Sequence, residues 1–176
     1  MKHLLIQTTK MVTVITLVLF SVSLMAQDDK SQRPSPPANV SEKVGNATIT
    51  IDYSQPSVKG REIWGGLVPY GKVWRTGANE ATTFETSADV KIEGESLKAG
   101  KYGLFTIPEE DEWTIIFNSV PDQWGAFNYD ASKDVLRVKV KPQSVGQNME
   151  KMTFKITSDG MVSLLWEKLK VSFSVE

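Results

Sequence analysis

No cysteine occurs in this chain, and its only histidine is His3. Without thiols there can be no disulfide, no cysteine nucleophile and no thiolate metal site. With histidine confined to the third position, removal of a leader would strip imidazole from the protein altogether. Ser-His-Asp and Cys-His catalysis then fall away, as do zinc, haem and iron–sulfur sites built on those side chains. Neither charge predominates: 20 Lys and Arg face 21 Asp and Glu. No basic run stands out, which argues against a nucleic-acid partner. The longest apolar run, Met11–Leu24, has about 14 residues, short of the roughly 20 that span a bilayer as a helix. The chemistry left to the chain is that of carboxylates, Lys, Tyr, Ser, Thr, Arg or a hard metal such as calcium.

That apolar run has the flanks of a secretory signal. Lys2, His3 and Lys10 precede it, Ala26 ends it, and the polar run QDDKSQ begins at Gln27. We expect residues 1–26 to be a cleaved signal peptide and the protein to be exported, to the periplasm or beyond the cell. No membrane span would remain after cleavage. Cutting after Ala26 leaves 150 of the 176 residues, enough for one domain with a real core. It removes two lysines and no acid, which moves the net charge from −1 to −3. Residues 27–39, QDDKSQRPSPPAN, are polar and hold three prolines; their composition predicts a disordered linker. Residues 40–176 form the expected single domain. Asn39-Val40-Ser41 and Asn46-Ala47-Thr48 fit the glycosylation tripeptide, a pattern that recurs by chance.

From about Val44 the apolar residues recur every second position. Ile49, Ile51 and Tyr53 alternate with Thr48, Thr50 and Asp52; Leu136, Val138 and Val140 oppose Val135, Arg137 and Lys139; Met152, Phe154 and Ile156 oppose Lys151, Thr153 and Lys155. Further strand signals lie at 81–87, 89–92, 101–107, 113–118, 161–167 and 169–175. Glu93-Gly94-Glu95 and Asp159-Gly160 mark turns. No window after the leader has helical periodicity. The pattern predicts an all-β antiparallel sandwich, jelly-roll-like or immunoglobulin-like, with a closed barrel as the alternative.

Residues 53–80, YSQPSVKGREIWGGLVPYGKVWRTGANE, break this pattern with five glycines, two prolines, two tryptophans and two tyrosines. At most they hold short strands near 61–64 and 72–75. A long irregular segment inside a compact domain is often functional. Glycine permits close approach of a ligand, aromatics offer flat faces with a polar edge, and arginine forks onto carboxylate or phosphate. A second stretch of like texture, VPDQWGAFNYDASKD at 120–134, follows a strand. Lys59, Arg61, Trp74, Arg75, Asn79 and Glu80 of the first segment, with Trp124 and Tyr129 of the second, are therefore the candidate ligand contacts, for a sugar or an anionic group. The competing structural explanation uses the same residues: Trp64 and Trp74 plug the ends of the sandwich, and Arg75 pairs with Glu80 or Glu85.

The string YSQPSVKGREIWGGLVPYGKVWRTGANEAT, followed by LKAGKYGLFTIP and the later WTIIFN and WG, resembles an exported bacterial family known as domain of unknown function 2911. The likeness runs from about Ser35 to the C-terminus. It implies an exported all-β domain and no particular activity. It also implies an Arg where Gln55 stands here.

Among catalytic options, glycoside hydrolysis needs only two carboxylates. Glu62, Glu80, Glu85, Asp122 and Asp130 lie in or near the irregular segments, with Glu80 foremost. Ser57 and Lys59 share a face if extended, a commonplace spacing. For calcium, EEDE at 109–112 is acidic but lacks the spacing of a calcium loop and suits a solvated hairpin tip. No catalytic residue, metal ligand or cofactor is assigned on these grounds. The expected role is a binding or interaction module of the cell envelope, contacting a glycan or a protein. A structural subunit and a carboxylate-based glycan hydrolase are the alternatives.

Overall fold

A computed structural model describes residues 29–176; the expected signal peptide at 1–26 lies outside them. Ten strands follow one another: β1 (Pro37–Val44), β2 (Ala47–Ser54), β3 (Thr83–Thr86), β4 (Val90–Ile92), β5 (Glu95–Leu97), β6 (Gly100–Ile107), β7 (Trp113–Asn118), β8 (Asp134–Val140), β9 (Gln143–Ile156) and β10 (Met161–Ser174). The only helical turns among the described residues are 3₁₀ turns at Lys30–Gln32 and Ala131–Lys133. No helix there is long and apolar enough to cross a membrane.

Six strands form one antiparallel sheet in the order β1-β2-β3-β6-β7-β8, and β9 pairs with β10 in a second. Alternation sets which face is buried. In β2, Ala47, Ile49, Ile51 and Tyr53 turn inward, while Thr48 and Asp52 face out. The two sheets pack face to face through their aromatics. Tyr53 meets Phe154 edge-on at 5.0 Å, and Phe117 meets Phe173 at 5.9 Å. Leu104 and Ile115 of the large sheet and Met152, Leu164 and Val171 of the hairpin belong to the same buried core. The large sheet stays open, with β1 and β8 as its edges, so the sandwich holds and the barrel does not. A second, smaller core lies on the outer face of that sheet. There Phe105, Ile116 and Ala81 are covered by Tyr129, Ala126 and Val73.

Several elements differ from the sequence expectation. β1 begins at Pro37, inside the stretch read as a disordered linker. β10 is one strand where two were expected, because β-bulges flank Glu167 and interrupt the apolar alternation there. The expected short strands at 61–64 and 72–75 are reduced to isolated bridges, Trp64 to Val68 and Trp74 to Thr106.

The β9–β10 turn depends on Gly160. Its φ is +91°, and a Cβ added there would collide with the Val175 carbonyl oxygen. Its own carbonyl accepts from the Val175 amide at 2.8 Å. Gly160→Ala is expected to cost about 2 kcal/mol or more, combining a left-handed backbone with a backbone clash. A lowered midpoint in urea unfolding, at unchanged slope, would be the readout.

Candidate functional site

The irregular segment is built around an interruption of one strand. Trp74 exchanges both backbone hydrogen bonds with Thr106 of β6, at 2.7 and 2.9 Å. Two residues back along β6, the Leu104 amide donates to the Thr82 carbonyl at 2.8 Å, where β3 begins. Residues 75–81 thus bulge out of what is otherwise one continuous partner of β6. The Thr82 amide closes the bulge on the Arg75 carbonyl at 3.1 Å, and the Thr82 hydroxyl donates to the Thr76 carbonyl at 2.8 Å. Thr76 and Asn79 carry φ of 55° and 58°, left-handed conformations that non-glycine residues adopt at a cost.

Three further elements hold this loop. The Trp74 indole N–H donates to the Gly77 carbonyl at 3.1 Å. The Asn79 amide donates to the Ser35 carbonyl at 2.9 Å and to the Ser54 hydroxyl at 3.2 Å. The 120–130 stretch pairs with it through Ala81 N–H to the Gln123 carbonyl and Gly125 N–H to the Asn79 carbonyl, at 2.9 and 3.0 Å. Beneath it lies a cluster of four tryptophans. Trp74 stacks on Trp166 at 5.9 Å and 17°, while Trp64 meets Trp74, Trp113 and Trp166 edge-on at 5.0–5.9 Å.

One flank of the loop opens on a cavity of about 280 Å³ lined by Arg75, Arg61, Asn79, Trp74, Trp166 and Ser35, among others. Arg75 is half-buried, and its guanidinium makes no hydrogen bond or ion pair among the described residues; its Nε is buried without a partner. Burial pushes its pKa down, yet an arginine stays charged at any ordinary pH. The Trp166 indole N–H is likewise buried with no acceptor. Arg61 is committed locally: its Nε donates to the Val58 carbonyl at 3.1 Å and its Nη2 to the Ser57 carbonyl at 2.5 Å.

The opposite flank opens on a second cavity of about 280 Å³, lined by Glu80, Asp52, Asp122, Lys30, Lys101, Thr83 and Gln123 among others. Glu80 is gripped there by the N-terminal segment. Lys30 Nζ donates to it at 2.9 Å, and Arg33 Nη1 reaches both its oxygens at 3.0 Å. Burial alone would raise the Glu80 pKa, but hydrogen bonds from Lys30, its own backbone amide and Arg33, with the Lys30 charge, hold it at about 2. A carboxylate depressed in the folded state stabilises above its unfolded pKa and loses that contribution as the pH falls to the folded value. Wild type should therefore lose its advantage over Glu80→Gln between about pH 4.5 and about pH 2. The Glu80 side chain is 40% exposed, so screening keeps the effect well below the full linkage value. Acid unfolding curves of the two proteins would check it.

The expected contacts therefore divide. Arg61, Trp74, Arg75 and Asn79 line one cavity, and Glu80 lines the other. Lys59 is exposed on the turn before Arg61, where its backbone amide donates to Glu150 at 2.9 Å. Trp124 is 56% exposed, with the Arg33 guanidinium 6.0 Å above its ring. Tyr129 is fixed by packing on Phe105 and by hydrogen bonds to Asp134 and from Arg137; burial first, then the Asp134 carboxylate, push its hydroxyl to about 12. Gln55 donates to the Met152 carbonyl at 3.1 Å. Trp166, Thr83 and Gln123 were not anticipated as site residues. Thr83 lies on the outer face of β3, beside Asp52 of β2 and opposite in direction to the core residue Phe84, as strand alternation places it. No group of three or more Asp, Glu, His or Cys able to hold a metal ion occurs among the described residues.

Residues 35–175 fit the family model described as Protein of unknown function (DUF2911). The chain belongs to the DUF2911 family. No curated protein and no solved structure matches it. The match takes in both sheets, the whole 75–81 loop and the Arg75 cavity, whereas Lys30 and Arg33, which hold Glu80 at the other cavity, precede it.

Proposed function

We propose that this DUF2911 member is exported after loss of residues 1–26 and serves in the cell envelope as a non-catalytic binding module. Its ligand presents a small anionic group, a carboxylate or phosphate, to Arg75. One observation carries this reading: a half-buried guanidinium faces a cavity with no counter-charge. A buried donor without an acceptor costs free energy, and a charged one costs more. An anion in the cavity would satisfy the Arg75 fork and give the Trp166 N–H an acceptor. The strained backbone at Thr76 and Asn79 suits a loop shaped for a ligand.

The alternatives draw less support. A purely structural role for the segment requires Trp64, Trp74 and Arg75 to be buried and fully paired, yet Arg75 Nε and the Trp64 N–H lack partners. A two-carboxylate hydrolase needs one protonated acid and one free ionised carboxylate; Glu80, its foremost candidate, is held ionised, and Lys30 and Arg33 occupy both its oxygens. The test is calorimetric titration of sodium glucuronate and of inorganic phosphate into the wild type and Arg75→Met. Saturable binding of either anion that disappears in the variant supports the proposal. Equal binding by both proteins, or none by the wild type, refutes it.

A further inference from the structure

The cavity on the Glu80 flank differs from the Arg75 cleft in the kind of polar atom it leaves unpaired. Thr83 is 8% exposed, and its hydroxyl is buried with no partner. The Gln123 side-chain oxygen is also buried without a donor, while its amide nitrogen is spent on the Val120 carbonyl at 2.7 Å. Both residues line the same cavity. The Asp122 carboxylate, also lining it, makes no hydrogen bond or ion pair among the described residues. The Arg75 cleft wants an acceptor; this one wants donors.

Charge narrows the choice of ligand. Three carboxylates and two lysines line the cavity, and Arg33 also pairs with Glu80, so the charges balance and leave no net positive wall to hold a free anion. A bare metal ion is poorly served, because Glu80 and Asp52 already spend oxygens on Lys30, Arg33, Asn39 and Lys101. A hydroxyl group both donates and accepts. Several on one ring would match the alternation of Thr83 hydroxyl, Gln123 oxygen, Asp122 carboxylate and Lys101 ammonium. The volume, about 280 Å³, lies just below the roughly 300–1,000 Å³ of drug-sized ligand sites and suits one ring.

An apolar surface stands close by. Trp124 follows Gln123 in the chain and is bridged to Glu80. Arg33, which binds the Glu80 carboxylate, lies 6.0 Å from the Trp124 ring centre, so the exposed indole sits near the cavity's acidic side. A sugar ring has polar edges and apolar C–H faces, and an exposed indole offers such faces a flat surface.

We propose that this second cavity is a binding site for an uncharged pyranose sugar. Thr83, Gln123 and Asp122 take its hydroxyls, and Trp124 packs against the ring or its neighbour in a longer glycan. The site does not depend on the anion assigned to Arg75.

The experiment titrates glucose, galactose and N-acetylglucosamine into the wild type, Thr83→Val, Asp122→Asn, Trp124→Ala and Arg75→Met, followed by calorimetry and by the indole N–H resonance of Trp124. At least one sugar should bind saturably in the millimolar range and move that resonance. Asp122→Asn and Trp124→Ala, both at exposed positions, should each weaken it about tenfold or more, equivalent to about 1.4 kcal/mol. Thr83→Val should do the same if its circular dichroism is unchanged, and Arg75→Met should leave the sugar affinity intact. No saturable binding by any of the three sugars would overturn the assignment. So would binding that survives both exposed-site variants. Binding lost only in Arg75→Met would also overturn it, by moving the sugar to the other cleft. Glucuronate binding lost in Arg75→Met tests the anion reading separately, so either can fail while the other stands.

Discussion

Arg75→Met should abolish binding of an anionic ligand and at the same time raise the stability of the protein. Both effects follow from one guanidinium. In the free protein Arg75 has lost much of its water and has gained no carboxylate or carbonyl among the described residues in return. Methionine keeps a long apolar stem to pack where the arginine stem packs, and removes the uncompensated charge. The expected gain is about 1 kcal/mol, or roughly 2–4 °C in melting temperature at this chain length. The binding loss is larger, because a charge-assisted hydrogen bond contributes about 1.5–3 kcal/mol, a factor of about ten to a hundred or more. Arg75→Lys should fall between, keeping the charge but losing the planar fork. The opposite sign on stability is the discriminating result. If Arg75→Met melts well below the wild type, Arg75 holds the loop together and the case for a ligand there collapses.

Position along the chain explains what the sequence could and could not tell. β2, β8 and the inner half of β9 were legible because each buries one face, so apolar residues recur at every second position. β1 was not, because it is an edge strand that buries little; apart from Val44 its inward positions are only half-buried, and its start is masked by prolines. The first half of β9, QSVGQNMEK, is largely exposed and carries no alternation for the same reason. The site was legible as composition only. Glycine, tryptophan and arginine marked residues 53–80, but nothing local says that Trp74 and Thr82 straddle two residues of β6 and expel 75–81 between them. That follows from tertiary pairing. Nor could spacing reveal that Glu80 is neutralised by Lys30 and Arg33, 50 and 47 residues away, from a stretch whose prolines and charges argued for disorder. The loop's two flanks differ because that N-terminal segment supplies cations to one of them and only the Ser35 carbonyl to the other.

Trp113→Ala should be the most damaging single change in the core. Trp113 is fully buried inside β7, with its ring edge-on to Trp64 at 5.0 Å and to Trp74 at 6.3 Å. Truncating a buried aromatic of this size costs about 3–5 kcal/mol, through lost transfer free energy and the cavity left behind. Against a total stability of roughly 5–15 kcal/mol, that is a fifth of the fold or more. The damage should spread to the loop, since Trp113 backs Trp74 and Trp74 holds Gly77 through its indole N–H. Trp113→Phe should cost much less. It keeps an aromatic in the cluster, and the indole N–H it deletes has no acceptor to lose. Trp124→Ala, at an exposed position, should stay within about 0.5 kcal/mol of the wild type. Urea unfolding followed by the fluorescence of the remaining tryptophans separates the three. A Trp113→Ala cost no greater than that of Trp124→Ala would mean that the tryptophan cluster does not support the loop, and that the strain at Thr76 and Asn79 is held by the hydrogen bonds of Thr82 and Asn79 alone.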